Sequence, residues 1–127
     1  MTEITVQGPA LTALDPATRG ILLQTIVDTM PHIPNAPVAA QTARRAAAFA
    51  LLGTLAPTDP VQAMLAADAI AAHHASVTAY RWAARSDLPP ALQLSYLAKG
   101  ASLSRLASSK RRELLDRKST RLNSSHS

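Results

Sequence analysis

Two adjacent histidines in the middle of the chain, His73 and His74, are the residues whose types most directly suggest chemistry, because imidazole binds metals and carries protons. Neighbouring residues on a helix project about 100° apart and do not converge on one ion. No Asp, Glu or His lies at the helical spacing that a zinc motif requires from either histidine. We therefore expect structural roles, with His74 exposed beside Arg81 and His73 at the edge of the core beside Val77.

Asp68 is the second candidate, because it falls among apolar residues such as Val61 and Met64 on one side of a helical stretch. A buried carboxylate must be ion-paired, hydrogen-bonded or protonated. We predict that Asp68 forms a buried ion pair with Lys110, or failing that with Arg45, and that the pair fixes the alignment of two helices. No second carboxylate lies near it at helical spacing, so the paired carboxylates of general acid–base catalysis are missing.

Arginines form the third group. Basic side chains near a helix end stabilise the helix dipole, and a solvated charged face is their usual role. The chain has a formal charge of +5, of which residues 116–127 contribute +2, so charge argues only weakly for a nucleic-acid partner. The candidate surface for nucleic acid or another partner consists of Arg81, Arg85, Arg105, Arg111 and Arg112.

The composition excludes several functional classes. The chain has no cysteine, which excludes disulfides, thiolate metal sites and a cysteine nucleophile. It has no glycine-rich phosphate loop and no Gly-x-Ser-x-Gly nucleophile elbow. The N-terminus does not read as a signal peptide, and the longest apolar run, 46–56, is too short to span a bilayer. We therefore expect a cytoplasmic protein with no membrane contact, no catalytic activity, no cofactor and no metal.

Aspartate followed by proline marks the start of two helices, at Asp15 and Asp59, because aspartate caps a helix N-terminus and proline fits its first turn. Residues 1–14 before the first start lack a clear period and are expected to form a flexible N-terminal arm. The first helix covers about 15–30, and Pro31 ends it.

The elements after it are longer. A second helix is predicted over about 37–52, with Gly53 as its C-terminal cap. Two long helices follow, at about 60–85 and 89–115, and the short proline-marked turn between them predicts an antiparallel helical hairpin. The sequence thus indicates an all-α domain over residues 15–115, in which the two shorter N-terminal helices, or a second subunit, cover the hairpin.

The alanine-rich third helix and the leucine-bearing fourth helix suit each other. In a hairpin centred on the turn, the numbers of facing residues sum to about 175, and small residues then face large ones. Asp68 falls near Lys110 in the same alignment. The predicted pairs are Ala83 with Leu92, Ala79 with Tyr96, Ala72 with Leu103, and Val61 with Leu114.

These observations favour a non-enzymatic helical module that binds a protein, including a second copy of itself. The alternative is a nucleic-acid-associated accessory protein that uses the five arginines. The two differ in salt dependence, because contacts to phosphates weaken steeply as salt is added.

Several short motifs are shared with a known group. The Asp-Pro start at 59–60, the segment Ala72-His73-His74-Ala75, and the Tyr80-Arg81 pair resemble a group of small alphaproteobacterial helical proteins whose function is unknown. The resemblance covers about half of the chain. It implies a bacterial origin, a helical hairpin, and a continuation past the second long helix into a basic linker and a strand.

Residues 116–127 differ in composition from the rest, being rich in Ser, Asn and basic residues. The stretch from Asp116 to His126 resembles the translation of a short-read sequencing adapter. We therefore expect an artefactual, disordered tail over 116–127 and a truncated native C-terminus.

Overall fold

The structure, a computed structural model, describes residue 11 and residues 13–124, with side chains as far as residue 120. This part of the chain contains four helices and no strand. The helices are α1 (Pro16–Thr29), α2 (Val38–Leu55), α3 (Pro60–Ala83) and α4 (Pro90–Ser124). The predicted all-α fold is confirmed.

The two aspartate–proline starts form as predicted. The Asp15 carboxylate accepts a hydrogen bond from the backbone N–H of Thr18 (3.1 Å), and the Asp59 carboxylate accepts one from that of Gln62 (2.8 Å). Proline occupies the first turn of both helices. These bonds satisfy N–H groups that the start of a helix leaves without partners.

The second helix extends past its predicted end. Gly53 lies inside α2, which ends at Leu55, and Ala56 is the left-handed residue after it, with a φ of 49°. The extension buries Leu55, and burial of a leucine outweighs the cost of about 1 kcal/mol for a glycine inside a helix. The Lys118 ammonium of α4 donates a hydrogen bond to the Ala56 carbonyl, near the carbonyls that the helix end leaves unpaired.

Helices α3 and α4 pack along each other as the predicted antiparallel hairpin. Near the turn, however, the rings of Trp82 and Tyr96 stack with centroids 6.0 Å apart, whereas the predicted partner of Tyr96 is Ala79. Tyr80 lies against Gly100 so closely that a Cβ there would fall 2.8 Å from the ring. At this end α4 is therefore displaced by about one helical turn from the predicted pairing.

The predicted faces are partly correct. Val61 and Leu92, predicted to face the other helix, are exposed, and this part of the prediction is wrong. In the first turns of α3 the buried side includes Gln62 in place of Val61, and because successive residues project about 100° apart, the buried side there differs from the predicted face. The predicted facing residues that are buried are Ala72, Ala79, Ala83 and Leu114; Tyr96 and Leu103 are half-buried.

The apolar core lies at one end of the hairpin. Its α3 members fall between Ala63 and Ile70, and α4 contributes Leu114. We call the rest of the hairpin, α3 residues 71–83 and α4 residues 90–107, the distal half. The core is completed by Leu11, Leu14, Leu22 and Ile26 before and in α1, and by Ala48, Phe49, Leu52 and Leu55 in α2.

Two predictions about the chain ends need correction. Leu11 and Leu14, placed by the sequence in a flexible arm over 1–14, are buried in the core because they supply apolar area next to α1; residues 1–10 and 12 lie outside the described part. At the other end α4 continues to Ser124, so residues 116–124 are helical rather than a disordered tail. Leu114 and Lys118 hold this end of α4 against the core and α2.

Candidate interaction surfaces

Asp68 does not occupy the position that the sequence predicts. Its side chain is exposed, and it lies in no ion pair with Lys110 or Arg45 within the part of the chain that the structure describes. The predicted buried ion pair is therefore wrong. In the first turns of α3 the predicted face borders α1 and solvent instead of α4, which explains the difference.

Asp68 instead borders a groove between α1 and α3. The groove has a volume of about 300 Å³, and its lining is mostly apolar. Ile21 of α1 is 69% exposed and Met64 of α3 is 67% exposed, so two large apolar side chains meet solvent along it. Asp68 is the charged residue of its lining. We call this feature the α1–α3 groove; its walls are Thr18, Ile21, Leu22 and Thr25 on one side and Pro60, Ala63, Met64, Ala67 and Asp68 on the other.

A second apolar surface lies on α4 in the distal half. Leu94 is 66% exposed, and Leu97 is also exposed. Ala101 and Arg105 follow at helical spacing, so these four residues share one side of α4. We call this side the outer face of α4. Leu94 and Arg105 point away from α3, because Tyr96, which stacks on Trp82 of α3, projects about 160–180° around the helix from them, whereas Leu97 lies nearer the α3 side.

The turn end of the hairpin carries a stacked arrangement of three side chains. The Arg85 guanidinium lies 4.6 Å from the centre of the Trp82 ring, and Trp82 stacks on Tyr96. Two nitrogens of Arg85 also donate to the Asp87 carboxylate, at 3.0 and 2.5 Å. This bond raises the pKa of Arg85 and lowers the pKa of Asp87 from their ordinary values. Because the guanidinium already has an aromatic and a carboxylate partner, Arg85 is a poor phosphate ligand.

The five arginines of the candidate surface are all exposed, but they do not share one face. Arg105 and Arg112 are two turns apart on the same side of α4, whereas Arg111 projects about 100° away from Arg112. Arg81 is on α3, near the turn. The structure therefore presents one short basic stripe on α4 and separate arginines elsewhere.

The two histidines show the reverse of the predicted exposure. His73 is exposed, and His74 is half-buried, with a buried Nε2 that has no hydrogen-bond partner among the described residues. Burial lowers the pKa of His74, and the charges of His73 and Arg44 lower it further. The nearness of Arg44 places α2 on the side of α3 that the sequence assigned to solvent. Within residues 11 and 13–124, no group of three or more His, Cys, Asp or Glu is placed to hold a metal.

A polar cleft of about 420 Å³ separates the start of α3 from the last turns of α4. Asp59 and Gln62 line one wall, and Glu113, Asp116 and Arg117 are on the other. The buried Gln62 side chain accepts hydrogen bonds from the N–H and hydroxyl of Thr58, both at 2.9 Å, and so joins the loop before α3 to the helix. The sequence gives no signal for this cleft or for the α1–α3 groove, because both depend on how separate helices are placed.

Comparison of the chain with protein-family models, with curated proteins and with solved structures finds no match. No helix in the described part of the chain is long and apolar enough to cross a membrane.

Proposed function

We propose that the protein is a non-enzymatic helical module that binds another protein surface through the distal half of its hairpin, a second copy of the chain included. The observation that carries the proposal is the confinement of the core to the other end. The α3 members of the core end at Ile70, while large apolar side chains remain exposed beyond it, among them Val77, Tyr80, Leu94 and Leu97.

The energetics of helices supports this assignment. Most of the stability of a helix in a protein comes from packing of its apolar side, not from its intrinsic propensity. In the distal half, α3 and α4 pack mainly on each other, and leucines face water on the outer side. Leu94 and Leu97 are 66% and 46% exposed, so burial of the exposed part of either by a partner is worth about 0.7–2 kcal/mol. Neighbouring exposed apolar residues of this kind are typical of protein interfaces.

Site-specific photo-crosslinking tests the proposal. A photo-reactive amino acid at Leu97 should form covalent adducts, either with a second copy in the purified protein or with another protein in cells. The matched control is the same amino acid at Lys99, which is also exposed but projects about 200° around α4 from Leu97. Adducts at neither position, or equal adducts at both, would count against an interface on this side of the hairpin.

A nucleic-acid surface is the second candidate, and the observation that favours it is the stripe formed by Arg105 and Arg112 on α4. The arginines at the turn do not extend this stripe, since Arg85 is bound to Asp87. Retention of the chain on DNA at low salt, with a steep loss as salt rises, would support this alternative. Absence of retention at low salt would remove it.

A further inference from the structure

We infer that the partner surface for the distal half is the α1–α3 groove of a second copy of this chain, with the outer face of α4 lying in the groove and Arg105 placed against Asp68. The inference rests on the proposed function and names its partner.

The groove specifies the chemistry of its occupant. It is apolar along most of its length and has the carboxylate of Asp68 at one end. That carboxylate is exposed, and within the described chain it lies in no ion pair. A complementary ligand therefore needs large apolar side chains, followed at a fixed distance by a cation.

The outer face of α4 has this composition and order. Leu94 and Leu97 are exposed, Ala101 provides a small side chain one turn later, and Arg105 follows after another turn. Arg105 donates a hydrogen bond to the Ser102 hydroxyl (3.2 Å) on its own helix and, within the described residues, has no carboxylate partner. Its guanidinium is thus available to a carboxylate from another molecule.

The two surfaces also match in length. On α3, the groove runs from Pro60 to Asp68, which spans about 12 Å at the rise of an α-helix. On α4, the distance from Leu97 to Arg105 covers the same number of residues and the same ~12 Å. When Arg105 lies over Asp68 and the two helices run in the same direction, Ala101 therefore lies over Met64, Leu97 lies over Pro60, and Leu94 lies just beyond the start of α3.

The geometry makes the contact heterologous, because the groove and the outer face are different surfaces of one chain. Each copy then offers a groove to one neighbour and an α4 face to another. Such head-to-tail contacts give open chains or closed rings instead of two-fold dimers.

Complementation between two charge variants tests the inference, with assembly measured by sedimentation velocity over a range of concentrations. Asp68→Arg breaks the groove and Arg105→Asp breaks the outer face, so each variant alone should associate at least about tenfold more weakly than the unmodified chain. A mixture of the two should regain assembly, with the two variants alternating along the chain or ring, because every groove then meets an outer face of opposite charge. The double variant, with the charges exchanged, should regain assembly.

The control variant is Arg112→Asp, which makes the same change of charge on the same side of α4 as Arg105→Asp. Because Arg112 lies two turns farther along the helix, beyond the length of the groove, this variant should associate like the unmodified chain. All substituted positions are exposed, and circular dichroism checks that each variant is folded. Assembly unaffected by either charge variant, or a mixture that stays monomeric, would overturn the inference. A chain that is monomeric at every concentration but crosslinks through Leu97 to a different protein would overturn it while leaving the proposed function intact; a monomer without crosslinks would remove both.

Discussion

Truncation of Leu114 to alanine tests whether α4 reaches the core at the far end of the hairpin. Leu114 is 0% exposed and belongs to the core cluster, whereas its neighbour Leu115 is 53% exposed. Leu115→Ala is a matched control, because both changes remove the same atoms from the same helix and alter its intrinsic propensity equally.

The expected magnitude follows from burial. Leucine to alanine removes three carbon groups, and at about 0.8 kcal/mol for each the transfer loss at Leu114 is ~2.5 kcal/mol. The cavity left behind raises the total loss toward ~5 kcal/mol, depending on how far the surrounding helices relax. At Leu115 the expected loss stays within about 0.5 kcal/mol, as is usual for surface positions. A loss at Leu114 is a large share of a domain stability of about 5–15 kcal/mol.

Urea denaturation followed by helical circular dichroism measures both free energies of unfolding, and linear extrapolation compares them. Equal losses at the two positions, or a loss below about 0.5 kcal/mol at Leu114, would refute the packing of α4 against the core. A larger loss at Leu115 than at Leu114 would show that α4 is rotated about its axis.

Two further outcomes are expected. Gly20→Ala should raise the stability by about 1 kcal/mol, because alanine favours a helix over glycine and nothing lies near the added Cβ. Gly100→Ala should lower the Tm, because its Cβ would meet the Tyr80 ring at 2.8 Å. A rise in Tm for both variants would contradict the close approach of α3 and α4. The pKa of His74 is lowered in the folded chain, so at mildly acidic pH the unfolded chain binds more protons than the folded one. The free energy of unfolding should therefore fall as the pH drops below 6.5, the ordinary pKa of histidine, toward the pKa of His74 in the folded chain. Denaturation curves at pH 5 to 8 measure this fall in stability, which His74→Gln should reduce and His73→Gln should largely keep. If His74→Gln leaves the pH dependence of stability unchanged, His74 is not its origin.

The elements of the fold are predictable from local signals, because the residues that begin and end helices act within one turn. Asp15 and Asp59 accept hydrogen bonds from N–H groups three residues ahead, and these contacts need no knowledge of the tertiary fold. The end of α2 is different. Gly53 is a local stop signal, but burial of Leu55 against other helices overrides it.

The sides of the helices are harder to predict than their ends, and α3 shows why. Alanine lies on almost every side of α3, so the apolar pattern does not define which side is buried. The predicted face is buried at Ala72 and Ala79, but in the first turns of α3, where it carries Val61 and Asp68, it is exposed. His74 lies on a different side of α3, which α2 approaches near Arg44. Two features that the apolar pattern does not define, the buried side of the first turns of α3 and the position of α2, therefore account for the errors at the two candidate sites.

The position of the core separates the residues that stabilise the fold from those proposed to bind. Leu114 and Ile70 are enclosed, so their truncation should lower stability whatever the protein binds. Asp68 and Arg105 are exposed, so their charges contribute little to the stability of the single chain. A variant that loses assembly without losing stability therefore identifies a binding residue directly, and this independence allows the charge-exchange experiment to be interpreted.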